Sequence, residues 1–251
     1  MIYVFAAINC EIAPLKQLES DDLKIIRTGI GKVNAAFALG RTFPGKNTRS
    51  EHNNDVIINI GTCGASNLHG LFLVNKITDE STGRDYYPDM LRVKGFPEAH
   101  LITVDRVNTD PEPFTLYDME ASAIFMAGSK IVSPDRMFFI KVVSDNGNVE
   151  GVTEECVSNM MNEHLPQIKS LIDQILAGLD HSTASPCYDD INQKLHSSAS
   201  MQVQVCELMD FARSIGIDGS ELFEQEGARL VSSRKEGKEV IARVRSRLTS
   251  F

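Results

Sequence analysis

Two carboxylates, Asp145 and Glu11, stand just where apolar runs give way to turn-forming residues. Residues 137–143 are apolar except for Lys141, and the run breaks at Ser144-Asp145-Asn146-Gly147. A short apolar run of this kind predicts a strand buried on both faces, and the residue types after it turn the chain. In open α/β sheets ligands bind just beyond the carboxyl ends of the strands. Ser144 and Asp145 are therefore expected at a ligand-binding address, and Glu11, after the apolar run 2–8, has an address of the same kind. A third carboxylate, Glu120, falls in the first turn of a helix expected over 115–130, where the helix dipole favours negative charge. Asp118 beside it reads as a cap. Two glycine segments join them: Gly29-Ile30-Gly31-Lys32 between a strand and a helix, and Gly61-Thr62-Cys63-Gly64-Ala65, read as a turn after the strand 55–60. Glycines at such places allow close backbone approach and turn N–H groups outward. The first segment is neither a P-loop nor the dinucleotide fingerprint, because the spacing and the third glycine are missing.

The elements that must position these groups alternate. Residues 2–8, 24–28, 55–60, 71–77, 101–104 and 137–143 read as strands. Residues 33–39, 115–130 and 153–179 read as helices, the last capped by Thr153 with Glu154 and Glu155 behind it. Buried strands alternating with helices predict an α/β fold with a mostly parallel mixed sheet flanked by helices. Residues 44–54 read as a polar loop, and 82–89 as a loop rich in aromatic and charged groups, a mixture also common at interfaces. Beyond residue 180 the character changes. Residues 181–200 carry no apolar period and read as a linker, followed by amphipathic helices at 201–215 and 240–248. The expected organisation is an α/β domain over 1–180, a linker over 181–200 and a small C-terminal helical extension over 201–251.

The net charge of −9 argues against a nucleic-acid partner, which would call for a basic patch. No apolar run approaches the length of a membrane span. Residues 181–251 hold ten acids and nine bases, so −8 of the −9 falls on residues 1–180. Five scattered cysteines without a Cys-x-x-Cys pair suit free thiols in a reducing cytoplasm and supply no metal site.

Taken in order, four motifs resemble the nucleoside phosphorylase superfamily, most closely its methylthioadenosine/S-adenosylhomocysteine nucleosidase branch. They are Thr28-Gly29-Ile30-Gly31-Lys32-Val33-Asn34-Ala35-Ala36, Ile58-Asn59-Ile60-Gly61-Thr62-Cys63-Gly64, Asp118-Met119-Glu120-Ala121 and Val143-Ser144-Asp145-Asn146. The resemblance covers residues 1 to about 178 and implies cleavage of a purine–ribose bond without cofactor or metal. Such cleavage passes through a ribose cation resembling an oxocarbenium ion. By the resemblance Asp145 protonates the departing base, and Glu120 stays ionised beneath the sugar and accepts its hydroxyl protons. Glu11 matches the glutamate that holds the attacking water, and Met119 packs against the ribose. Thr62, Cys63, Gly64 and Ser144 are placed against the substrate. Two carboxylates whose environments separate their pKa values make an acid and a stabiliser.

The chain also departs from that pattern. Lys141 replaces an arginine that helps position the water, which keeps the charge and loses the fork. Val107 stands where the nucleosidases carry an aromatic that stacks on the base, with Phe114 as its expected substitute. Base and 5′ substituent are left open. In family dimers the segment matching 82–89 reaches the neighbouring subunit's site, so Arg84, Asp85 and Tyr86 are expected at a lid or interface of a homo-oligomer, a dimer being favoured. Asn59 and the 7–11 segment lack the arginines of family phosphorylases, and no Lys or Arg lies between Asp145 and Lys169. Hydrolysis is therefore expected, with phosphorolysis and a non-catalytic nucleoside-binding module as the alternatives.

Overall fold

The computed structural model describes residues 1–43, 52, 54–108, 110–145, 147, 151–178 and 188–249. The chain folds into two compact units, Met1–Ser182 and Thr183–Phe251. The first unit is a three-layer α/β structure. Its strands are β1 (Ile2–Ala6), β2 (Leu23–Arg27), β3 (Val56–Ala65), β4 (Leu71–Asp79), β5 (Arg84–Tyr86), β6 (Glu98–Thr103), β7 (Thr115–Asp118) and β8 (Met137–Asp145). Five of their eight pairings are parallel. β3 pairs with β8, β8 with β4, β4 with β6, β6 with β7, and β7 returns to the upper end of β3, so the sheet closes on itself. β1 and β2 continue from the lower half of β3.

Strand parity divides the core. Along β8, Phe138, Ile140 and Val142 pack with Val157, Met161, Ile168 and Leu171 of the long helix α4 (Glu154–Gly178). Phe139 and Val143 face the other way, towards α2 (Lys32–Thr42) and α3 (Ala121–Gly128). Because successive strand side chains point to opposite faces, Lys141 shares the α3 side with Phe139 and Val143. α1 (Asn9–Leu15) packs on the α4 side. Thr153 caps α4 as expected, its Oγ1 accepting the Cys156 N–H at 3.2 Å.

Three expectations are corrected. The segment 115–130 is not one helix: Thr115–Asp118 is a fully buried strand and the helix starts only at Ala121. Thr115-Leu116-Tyr117 are β-branched and aromatic types that fit a pleated surface, and pairing with β6 outweighs the helical spacing of the apolar residues behind them. The segment 61–65 is not a turn, because β3 continues through it to Ala65. α2 does not end at Gly40 but runs through it to Thr42.

The second unit contains α5 (Asp189–Lys194), α6 (Ala199–Ser214), α7 (Gly219–Gln225) and α8 (Arg234–Leu248). α5 lies inside the stretch read as a linker, whose residues 181–187 fall outside those described. The unit has its own core, in which Val205, Leu208 and Ala212 of α6 meet Phe223 of α7 and Val240, Ile241 and Val244 of α8.

Candidate active site

The carboxyl ends of β1, β3 and β8 open onto one cavity of about 330 Å³. β1 ends at Ala6, and α1 starts three residues later with Glu11 in its first turn. The buried Glu11 carboxylate reaches back to the chain it came from and across to β3. Its Oε2 accepts the N–H groups of Ala7 (2.9 Å) and Ile8 (3.2 Å). Its Oε1 accepts the Thr62 N–H (2.6 Å) and the Thr62 hydroxyl (2.8 Å). This packing explains Gly61, since a Cβ there would stand 3.0 Å from Glu11 Oε1.

The second carboxylate is set by an irregularity in β8. Cys63 is opposite Val143, yet Gly64 is opposite Asp145, so Ser144 is an extra residue in the ladder. Such a bulge re-aims side chains, and here Ser144 and Asp145 both line the cavity. The Ser144 hydroxyl donates to Asp145 Oδ2 at 2.8 Å, and the Gly147 N–H donates to Oδ1 at 3.0 Å. Gly64 makes room for this group, because its Cβ would lie 3.1 Å from Asp145 Oδ1.

The third side of the cavity is Asp118-Met119-Glu120, between β7 and α3. Asp118 does cap the helix, its Oδ2 accepting the Ala121 N–H at 2.9 Å. It also accepts the Thr103 hydroxyl at 2.8 Å and pairs with Lys141 Nζ at 2.8 Å. Glu120 is the N-cap residue of α3, and its Oε1 accepts the Gly31 N–H at 2.7 Å. Gly31 reaches it from a loop in which Gly29 and Gly31 have φ of 82° and 94°, a region that favours glycine. Lys32 anchors that loop through Asp79 (3.2 Å) and Asp105 (2.7 Å).

Charge in this corner is unevenly balanced. Burial, and next the Asp118 charge, push the Glu120 carboxyl up to about 7, against the pull of Lys141 and the Gly31 hydrogen bond. Burial alone would lower Lys141, but Asp118 and then Glu120 hold it above the usual lysine value, so it is a cation. Burial raises the Cys63 thiol far above its ordinary range, which makes it part of the wall and not a nucleophile.

Glu11, Thr62, Cys63, Gly64, Val107, Met119, Glu120, Ser144 and Asp145 are brought together around the cavity. Lys141 is not among its lining residues; its side chain is buried behind the wall, with Asp118 as its ion-pair partner. Phe114 stays outside as well, 67% exposed with φ 62°. Arg84, Asp85 and Tyr86 form the edge strand β5, where Asp85 binds Thr78 and Lys76 and the Tyr86 ring lies against Phe125. The cavity also takes in Ile8, Ile30, Val104, Asp118, Val152 and Glu154, which sequence reasoning does not assign to it. Asp118 is the one with a signal in the sequence, as the residue before Met119-Glu120 and a carboxylate that could meet the lysine of the central strand.

Five carboxylates line the cavity, those of Glu11, Asp118, Glu120, Asp145 and Glu154, and among the described lining residues there is no lysine or arginine. Among the described residues no group of three or more histidine, cysteine or carboxylate side chains is arranged to hold a metal ion. The arrangement suits a cationic reaction centre and proton transfer to and from it.

No family model matches the sequence, and no curated protein matches it. Solved structures match in fold. An aspartate-to-asparagine variant of the MTAN of Chlamydia trachomatis aligns with a TM-score of 0.52 and 19% identity, over 67% of this chain and 97% of its own. The 5′-methylthioadenosine/S-adenosylhomocysteine nucleosidase of S. pneumoniae, solved with the transition-state inhibitor MT-ImmA, aligns with a TM-score of 0.53 and 16% identity, over 71% and 99%. An aspartate-to-asparagine variant of the Helicobacter pylori MTAN, with 5′-methylthioadenosine in its active site, aligns with a TM-score of 0.54 and 12% identity, over 69% and 98%. The chain thus has the nucleoside phosphorylase-like fold of these nucleosidases.

Proposed function

We propose that this chain hydrolyses the N-glycosidic bond of a purine nucleoside or 5′-thionucleoside and releases the free base. The observation that carries the reading is the meeting of Asp145 and Glu120 in one cavity lined by carboxylates and, among its described residues, by no lysine or arginine. Loss of a purine from ribose builds positive charge on the sugar. Glu120, buried against the Gly31 N–H, stabilises that charge once ionised. Asp145 delivers a proton to the departing base. The Ser144 hydroxyl on Asp145 Oδ2 can donate to the carboxylate or accept from the acid, because a hydroxyl rotates to suit. Met119 and Val107 supply apolar surface for ribose and base. Lys141 acts from behind, holding Asp118 and the start of α3 in place.

Water is the nucleophile in this reading, because the described lining of the cavity offers an entering phosphate no lysine or arginine and so no guanidinium fork. The same neighbours' ligands, 5′-methylthioadenosine among them, suggest which substrates to try first. A homo-oligomer, favoured as a dimer, is supported by the exposed Val33 and Phe37 of α2 and Met126 of α3, with Arg84, Asp85 and Tyr86 at its edge. Cys10, Cys63 and Cys156 are free thiols, in keeping with a cytoplasmic location. No described helix is long and apolar enough to cross a membrane.

The test is base release from purine nucleosides and their 5′-modified relatives, with and without phosphate. Release in phosphate-free buffer with ribose as the sugar product is expected. Release that requires phosphate and yields ribose 1-phosphate would replace hydrolysis by phosphorolysis, and tight binding without release would leave a binding module.

A further inference from the structure

This inference rests on the hydrolytic reading above and concerns the 5′ substituent, which that reading leaves open. A nucleoside presents three ends to a protein: the base, the edge with the sugar hydroxyls, and the 5′ carbon. In the hydrolytic reading Asp145 and Val107 take the base, and Glu120 and Met119 take the sugar. Ile30 belongs to the sugar side as well, because its neighbour Gly31 donates to Glu120. The 5′ end is then left to the remaining wall, where the starts of α1 and α4 pack together.

That wall has two parts. The inner part is apolar: Cys10 and Val157 are buried, and Ile8 and Val152 are half-buried. A buried thiol behaves as a small hydrophobe, so this part suits a thioether or methylene group next to the 5′ carbon. The outer part is Thr153 and Glu154, both exposed. Thr153 is the helix cap, its Oγ1 accepting the Cys156 N–H. Glu154 stands in the first turn of α4, where the helix dipole favours negative charge. That dipole alone would explain a glutamate on a free surface, but this one lines the cavity. Its charge also reaches inward: after burial and Glu11, it is among the causes that raise the Cys10 thiol. Among the described lining residues no lysine or arginine stands to cancel that charge.

We propose that Glu154 is a specificity-determining residue, favouring 5′-thionucleosides whose sulphur carries a short alkyl chain ending in an ammonium group. The chain lies along Ile8, Cys10, Val152 and Val157, and its ammonium group meets the Glu154 carboxylate at the rim. A chain of the same length ending in a carboxylate is disfavoured at the same place, and a neutral one falls between.

The test compares three 5′-thioadenosines whose sulphur carries 3-aminopropyl, n-butyl or 2-carboxyethyl groups, following adenine release by wild type, Glu154→Gln and Glu154→Lys. The aminopropyl and butyl chains are nearly isosteric, so the ratio of their kcat/KM values isolates the charge. Glu154→Gln should lower that ratio by about two- to fivefold, the scale of an exposed ion pair. The wild-type ratio should also shrink as sodium chloride rises from about 0.05 M to about 0.5 M, because exposed charges are screened. Glu154→Lys should favour the carboxyethyl over the aminopropyl substrate, reversing the wild-type order. Glu154→Gln decides alone if Glu154→Lys, which opposes the helix dipole, does not fold. An aminopropyl-to-butyl ratio that is the same in wild type and Glu154→Gln would overturn the assignment while base release itself still upheld hydrolysis. Wild-type protein that releases adenine from none of the three, nor base from any other purine nucleoside, would instead overturn the hydrolytic reading, and this inference with it.

Discussion

At Gly61 and Gly64 the site depends on the absence of side chains. Each glycine lies within β3, and each would place a Cβ tightly against a carboxylate oxygen, Glu11 Oε1 at 3.0 Å and Asp145 Oδ1 at 3.1 Å. The two glycines, which sequence alone suggests as turn formers, therefore serve close approach and not a bend. Gly61→Ala should displace a carboxylate pinned by four hydrogen bonds, so overpacking of about 1–3 kcal/mol is expected, read as a lower Tm with reduced turnover. An unchanged Tm would mean that Glu11 is free to move. Glu120 gives a pH dependence of definite sign. Its folded pKa, about 7, stands above the ordinary glutamate value, so the folded protein holds this proton more tightly than the unfolded chain. The stability it contributes is full below the ordinary value near ~4.3 and is lost as pH rises through about 7. The wild-type Tm should therefore drop relative to that of Glu120→Gln as pH rises from about 5 to about 8; parallel Tm curves would contradict the raised pKa. Ser144 and Asp145 are legible in the sequence because a buried strand fixes where its last residues emerge, whereas Glu11 lies in α1 and Thr62 within β3. Ile30 and Val152 come from loops, whose paths no periodicity reveals.

At the scale of elements, β8 and the Gly29–Lys32 loop do most of the positioning. The bulge at Ser144 turns one strand end into two cavity-facing groups, a detail that the apolar run 137–143 does not encode. The β7 strand is hidden in the sequence because four residues are too few to show a period against the helical spacing that follows. That matters for Glu120: it is the N-cap of α3 and bound to a loop, not a residue within a longer helix. Lys32 ties this loop to Asp79, which also accepts from Ser81, Thr82 and Ser122. Those bonds, opposed by burial, hold the Asp79 carboxyl far below the usual range. Lys32→Met should cost about 1–3 kcal/mol, as for a polar partner removed from a largely buried group. It should also lower kcat more than it raises KM, since Gly31 would hold Glu120 less firmly. A variant with unchanged kcat would show that the loop is fixed without its lysine.

For the whole molecule, the sheet, the flanking helices and the change of character after residue 180 are legible in the alternation of runs and its loss. From sequence the extension would need a partner surface for its helical faces, as short isolated helices are marginal in water. Its four described helices supply that surface to one another, and α7 escapes a sequence reading because seven residues are too short for an apolar stripe. Each unit thus has its own core. Truncation after residue 182 is expected to leave a cooperatively unfolding protein that still releases base, followed by calorimetry and by product analysis. A folded truncation without activity would place part of the site in the extension.

The central claim is that this cavity breaks an N-glycosidic bond with Asp145 as the acid. The most direct measurement sets wild type beside Asp145→Asn in phosphate-free buffer, following base release by chromatography and nucleoside binding by calorimetry. The replacement is nearly isosteric, and the amide would keep an acceptor for the Ser144 hydroxyl while offering no acidic proton. General acid catalysis is typically worth roughly 10²–10⁴-fold, so release should fall by that factor while the Kd for the nucleoside changes little. Equal turnover by the two proteins would contradict the assignment of Asp145.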